Sequence, residues 1–221
     1  MNSETRAERR EPLSRDRVLR AAMTLADAQG LDALSMRKLG KQLGVEAMSL
    51  YKHVANKEDL LDGIAELVAS EIHLPAPEAE WKTAMRERAI SARVVFSRHP
   101  WAVGLMEART NPGLASLRYY DRVIGILRQS GFSIRMATRA FSLMDAYVFG
   151  YAAQEINLPF ESTEDLSEIA ASIRDQLPTD EFPHFSEMIL DYVLRPEWNF
   201  EEEFAFGLDL ILDGLERYRG A

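Results

Sequence analysis

Ser35-Met36-Arg37-Lys38-Leu39-Gly40-Lys41-Gln42-Leu43-Gly44-Val45-Glu46-Ala47-Met48-Ser49-Leu50-Tyr51-Lys52-His53-Val54 is the stretch that decides the fold. Ser35 is a good helix N-cap; after it Met36, Leu39 and Leu43 recur at helical spacing, while Arg37, Lys38 and Lys41 point the other way. Gly44 stops that helix. After a tight Gly44-Val45 turn, a second short helix over about 46–54 buries Leu50 and Val54. Upstream, residues 14–29 line up Val18, Ala22, Leu25 and Gln29 with Leu19 and Ala26 beside them, and Gly30 ends that run. Two short helices joined by a four-residue turn, behind a longer supporting helix, are the arithmetic of a helix-turn-helix, whose second helix enters the major groove of DNA. A short surface hairpin would show the same two helices and glycine.

The outward positions of the second helix are Ala47, Met48, Ser49, Tyr51, Lys52 and His53. They offer a hydroxyl and a ring nitrogen for base edges or phosphates, a phenol for a phosphate, and a thioether able to touch a thymine methyl. Lys57 begins the next helix beside the same surface.

Working outward, a fourth helix runs from about 56 to 72, with Leu60, Leu61, Ile64, Ala65, Val68 and Ile72 at helical spacing; Pro75 and Pro77 close the unit. Helices follow at about 81–97, 101–108, 113–129, 134–156, 183–194 and 200–218, and none reads as a strand. The chain is therefore expected to be all-α. Residues 158–185 hold Pro159, Pro178 and Pro183 among many carboxylates and read as a poorly packed excursion containing one helical stretch, 166–177. The expected organisation is a flexible arm (1–13), a helix-turn-helix domain (14–60) and a helical body (61–221).

At 221 residues, 47% hydrophobic and 28% charged, the chain has ample material for a core, which rules out wholesale disorder. No run approaches the ~18 apolar residues of a membrane span, and the charged start lacks an apolar signal region, so a cytoplasmic protein is expected. With no cysteine, disulfides and thiolate chemistry are excluded, and four histidines are a thin supply of metal ligands. The net charge of −9 is uneven: residues 1–60 carry 11 Lys and Arg against 9 Asp and Glu, the remainder 15 against 26. A mildly basic head on an acidic body suits a small nucleic-acid contact surface.

The run from Arg37 to Val45, followed by Ser49-Leu50-Tyr51-Lys52-His53-Val54, Asn56-Lys57 and Leu60-Leu61, resembles the signature of the tetracycline-repressor (TetR) family of bacterial transcription regulators over about residues 14–65. That resemblance implies a three-helix DNA-binding head joined by the fourth helix to a ligand-binding, dimerising body. Position by position, it places Arg37, Ser49, Tyr51, His53 and Lys57 on DNA contacts; Lys52 occupies a position that is often aromatic. Residues 203–216 are similar to the last helix of the tetracycline repressor, and Gln129-Ser130-Gly131-Phe132-Ser133 to a turn in its body. In the last helix Phe204, Leu208, Ile211 and Leu215 form one stripe and Gly207 and Gly214 a flank, which suits a dimer helix; an intrachain core helix is the alternative.

By the same resemblance, His73 at the end of the fourth helix stands where a ligand-touching histidine is placed, a surface or core histidine being the alternative, while Met106 and Gln154 replace a histidine and a glutamate that surround a magnesium–drug complex. The hard-cation site has thus lost two ligands, so no metal and no cofactor are expected. Tyr147 and Tyr151 on the long helix, with Arg88, Met106 and Tyr120 on its neighbours, complete the expected ligand set of His73, Arg88, Met106, Tyr120, Tyr147, Tyr151 and Gln154. No nucleophile elbow, phosphate loop or zinc-protease motif occurs, so an enzyme is not expected. The expected function is a homodimeric repressor released from double-stranded operator DNA by a small organic inducer. The competing readings are a helical enzyme with an unrecognised site and a dimerising adaptor that does not touch DNA.

Overall fold

The computed structural model describes residues 12–109, 112–158, 177–195 and 198–220, together with Ile169 and Ile173. Every regular element among them is helical: α1 Arg15–Gln29, α2 Met36–Leu43, α3 Ala47–Leu50, α4 Lys57–Glu71, α5 Trp81–Arg98, α6 Pro100–Ala108, α7 Leu114–Gln129, α8 Ile134–Ile156, α9 Pro183–Met188 and α10 Phe200–Glu216, with a short 3₁₀ turn at Leu31–Ala33. None of the described helices is long and apolar enough to cross a membrane. Most of the expected arm (1–13) and most of the expected 166–177 helix lie outside the described residues.

Helix ends follow the local chemistry. Ser14, Ser35, Ser133 and Asn199 accept from backbone amides at the starts of α1, α2, α8 and α10. Gly44 ends α2 in the left-handed region, at φ 68°, which a residue without Cβ adopts cheaply. The second helix of the pair is shorter than its apolar spacing predicts. It covers only Ala47–Leu50; Tyr51–His53 form a turn in which the His53 and Val54 amides both donate to the Leu50 carbonyl, and Val54 is buried beyond it. The predicted 183–194 helix opens after Met188 into a π-helical turn at Ile189–Val193.

Two compact units result, and neither is a single stretch of chain. One holds residues up to Glu71 plus Gly104–Leu117, the other Ile72–Val103 plus Arg118 onward. In the first, α1 packs on α2 and α4, and α2 on α3, around Val18, Ala22, Leu39, Leu50, Leu60 and Ile64, all fully buried. In the second, α5, α8 and α10 pack on one another. Alanines 84, 89 and 92 on α5 and 137, 140 and 152 on α8 are buried, small enough to let the helix axes approach. Trp81 closes this core, edge-on to Phe132 at 4.9 Å, its indole N–H donating to Glu216.

The last helix departs from its predicted stripe. Phe204, Leu208, Leu212 and Leu215 are buried against the chain's own helices; Leu212 takes the place given to Ile211, which is half-buried. Gly207 is covered by the Tyr147 phenol, which would lie 2.3 Å from a Cβ there, so it serves an intrachain approach. Gly214 faces open space, and the apolar side chains left outward include Phe206 and Leu210 on α10 and Leu143 on α8.

Candidate nucleic-acid interface and ligand site

Within the first unit, α3 and its following turn present the residues that the sequence singles out. Met48 is 75% exposed and Tyr51 44%, with Leu50 between them fully buried as the anchor. Arg37, Lys52 and Lys57 are exposed; Ala47, Ser49 and His53 are half-buried. Three exposed cations from α2, the turn after α3 and the start of α4, with a phenol and a thioether, are groups suited to phosphates and base edges.

That surface is held by a clamp which the sequence reading did not single out. Arg15 on α1 donates to both carboxylate oxygens of Asp59 on α4, at 2.9 and 2.6 Å, and to the His53 carbonyl at 2.9 Å. Asp59 also accepts from the Ala55 amide at 2.8 Å, and its own amide donates to Asn56. The turn after α3 is thereby fixed to two helices at once. The Arg15 guanidinium and the Ala55 amide hold the Asp59 carboxyl down at about 2.

A second carboxylate, Glu66 on α4, gathers the discontinuous part of the same unit. It accepts from the amides of Gly113, Ala115 and Ser116, from the Ser116 hydroxyl at 2.6 Å and from Arg109 at 3.0 Å. It therefore caps the start of α7 from a different helix, where the exposed amides and the helix dipole favour a negative charge. Burial works to raise its pKa, but these donors outweigh it and hold the carboxyl below its ordinary range. Arg109 also reaches Asp62 at 3.1 Å.

The expected ligand residues fall into separate settings. Arg88 is 1% exposed. It pairs with Asp145 through Nη2, donates through Nε to the Tyr119 hydroxyl at 2.6 Å, and lies over the Tyr119 and Phe141 rings at 5.2 and 5.5 Å. Tyr120 meets Phe141 edge-on at 5.4 Å. Burial pushes the Asp145 carboxyl up, and the Arg88 charge recovers only part of that shift. Tyr147 and Tyr151 turn to α10 instead, donating to the carbonyls of Phe204 at 2.9 Å and Phe200 at 2.8 Å while their rings pack on Phe204. Each hydroxyl's proton is committed to backbone, which leaves only its oxygen lone pairs for any other contact.

His73 is exposed, its amide donating to Ser91 and its ring 3.6 Å from Glu87. Gln154 is exposed near the end of α8, and Met106 is half-buried in the other unit. Among the described residues no three His, Asp or Glu side chains gather closely enough to hold a metal ion.

Comparison with known proteins also divides the chain in two, but puts residues 104–117 with the second part. Residues 18–64 match the family described as bacterial regulatory proteins of the tetR family, and residues 74–219 the tetracyclin repressor-like C-terminal domain. The chain belongs to the TetR family of DNA-binding, ligand-responsive transcriptional repressors. It is 31% identical to the HTH-type transcriptional repressor DrrR1 of Streptomyces coeruleorubidus, over 92% of this chain and 77% of that one. It is 28% identical to the class D tetracycline repressor protein of Escherichia coli, over 92% and 89%. Among solved structures it resembles the TetR family protein ActR of Streptomyces coelicolor in complex with actinorhodin, at 28% identity and a TM-score of 0.75, over 96% of this chain and all of that one.

Proposed function

We propose that the chain acts in the bacterial cytoplasm as a homodimeric repressor. Residues 14–60 read the operator, and residues 61–221 dimerise and bind a small organic inducer. The observation that carries this reading is the clamped recognition surface: Met48, Tyr51, Lys52 and Lys57 are exposed around a buried Leu50, with the turn that bears them fixed by Arg15 and Asp59. Such rigidity lowers the ordering cost of binding. The outward Phe206, Leu210 and Leu143 are the apolar side chains offered to a second copy, which would set the two recognition helices roughly one DNA turn apart, ~34 Å.

For the inducer, Arg88 with Tyr119, Tyr120 and Phe141 replaces the wider ligand set expected from sequence, since Tyr147 and Tyr151 serve α10. We hold the inducer to be bound without metal, because Met106 and Gln154 are poor partners for a hard cation. Coupling would run through Glu66, since a shift of α7's first turn pulls on α4, whose first residue is Lys57. A mobility-shift titration on the DNA upstream of the chain's own gene tests the reading. Sequence-specific retardation that weakens steeply with salt is expected, and equal affinity for unrelated DNA would overturn it.

A further inference from the structure

Arg88 lies on α5 among the fully buried Met85, Ala89 and Ala84, and its donors are not all used. Nη2 goes to Asp145 and Nε to Tyr119, while Nη1 is buried and has no hydrogen-bond partner among the described residues. A buried N–H of a charged group left without an acceptor is costly, and natural interiors rarely keep one without a use. A purely structural ion pair with Asp145 could be made by the two donors already engaged. The third nitrogen, Nη1, finds no acceptor among the described residues and is free to meet a bound molecule.

Charge decides what that is. Arg88 and Asp145 cancel, so an approaching carboxylate would meet no net positive charge and would lie close to Asp145. An uncharged oxygen meets a strong charge-assisted donor with no such repulsion. The walls decide the shape: Tyr119 and Phe141 already lie against the guanidinium, and Tyr120, 37% exposed, meets Phe141 edge-on. Flat rings stack in such surroundings.

We propose that Arg88 Nη1 is the recognition donor of the inducer site, and that it selects an uncharged planar aromatic molecule carrying a carbonyl or phenol oxygen, rejecting the corresponding carboxylate. The proposal rests on the reading of the body as the inducer-binding part and narrows the ligand from any molecule with a polar handle to a neutral acceptor.

Calorimetric titration of the full chain with 2-acetylnaphthalene, 2-naphthoate and 2-ethylnaphthalene tests it, the three sharing a ring and differing in the group offered to Nη1. In the unmodified chain 2-acetylnaphthalene should bind about tenfold or more tightly than either of the others. Asp145→Asn leaves the arginine's charge uncompensated and should move the preference about tenfold toward 2-naphthoate. Arg88→Met combined with Asp145→Asn removes both charges and should leave the acetyl and ethyl compounds within about threefold of each other. If Asp145→Asn alone fails to fold, the unmodified chain and the double variant still decide.

Equal binding of the acetyl and ethyl compounds by the unmodified chain, a first preference for 2-naphthoate, or no binding of any of the three at millimolar concentration overturns the proposal; in the last case Nη1 is served by water. Operator release, measured in parallel, separates this from the parent reading. Release by other compounds that persists in the double variant refutes the role of Arg88 and leaves the inducer reading intact. The acetyl preference without any compound releasing DNA does the reverse.

Discussion

Met48 on α3 is 75% exposed and Arg88 on α5 is 1% exposed, and the two are supported in opposite ways. Around Met48 the chemistry lies outside and the order comes from beneath, where Leu50 anchors and the Arg15–Asp59 clamp grips the turn's backbone. Around Arg88 the chemistry is itself inside, and its order comes from side chains that share its burial: Asp145, Tyr119 and Phe141. An operator is a long polyanion that must be met at a surface, so affinity there is tuned by solvated groups at little cost to folding. A small molecule is held by enclosure, so recognition in the body is inseparable from its packing.

The largest effect that would break this contrast belongs to the body. Phe204→Ala removes a ring on which Tyr147 and Tyr151 pack, and should lower stability by about 3–5 kcal/mol in urea unfolding. Leu210→Glu, on the outward side of the same helix, should leave the fold intact and shift sedimentation at micromolar concentration from dimer to monomer. A fall in stability for Leu210→Glu like that of Phe204→Ala would place it in the core instead.

In the head, replacing Tyr51 and Lys57 by alanine should weaken binding to all DNA sequences alike and, since only Lys57 is charged, lower the salt slope by roughly one. Stability should stay within about 0.5 kcal/mol of the unmodified chain. Wild-type affinity in that variant would remove these residues from the contact surface; a large loss of stability would erase the contrast between surface and interior.

The smallest effect concerns the clamp. The Asp59 carboxyl is held at about 2, against an ordinary value of 3.8, so its pairing stabilises the head above about pH 4 and is lost as pH falls toward 2. Acid unfolding followed by circular dichroism should show a shallower dependence between pH 4 and 2 for Asp59→Asn than for the unmodified chain. Identical acid limbs would show that the pairing adds nothing to stability.

Much of the fold was legible because its signals are local. Serine caps, Gly30 and Gly44, and apolar residues every three or four positions mark helices to within a residue or two at α1, α2, α7 and α8. The exposure of Met48, Tyr51 and Lys52 was legible for the same reason, since they flank the buried Leu50 in one short stretch. What stayed hidden depends on partners far along the chain. Glu66 reads as an ordinary helix carboxylate until Gly113 and Ser116 arrive beside it, and Arg15 until Asp59 does.

One clue was available in the body. Asp145 stands in an apolar run, Leu143-Met144-Asp145-Ala146-Tyr147, and a lone acid there signals a buried partner. The packing of Tyr147 and Tyr151 on α10 was hidden because helical spacing puts them on one stripe of α8 without saying which neighbour that stripe meets.

Glu66 has a bearing on how such regulators are recombined. The unit that bears the recognition surface leaves off at Glu71 and resumes at Gly104, and Glu66 is the carboxylate on which the two lengths of chain converge. A transplant that joins this head to a foreign body at a single junction after α4 would carry Glu66 away from Gly113, Ala115 and Ser116, stranding an acid on one graft and uncapping a helix on the other. A faithful exchange needs two junctions, so that residues 104–117 travel with the head as an inseparable rider.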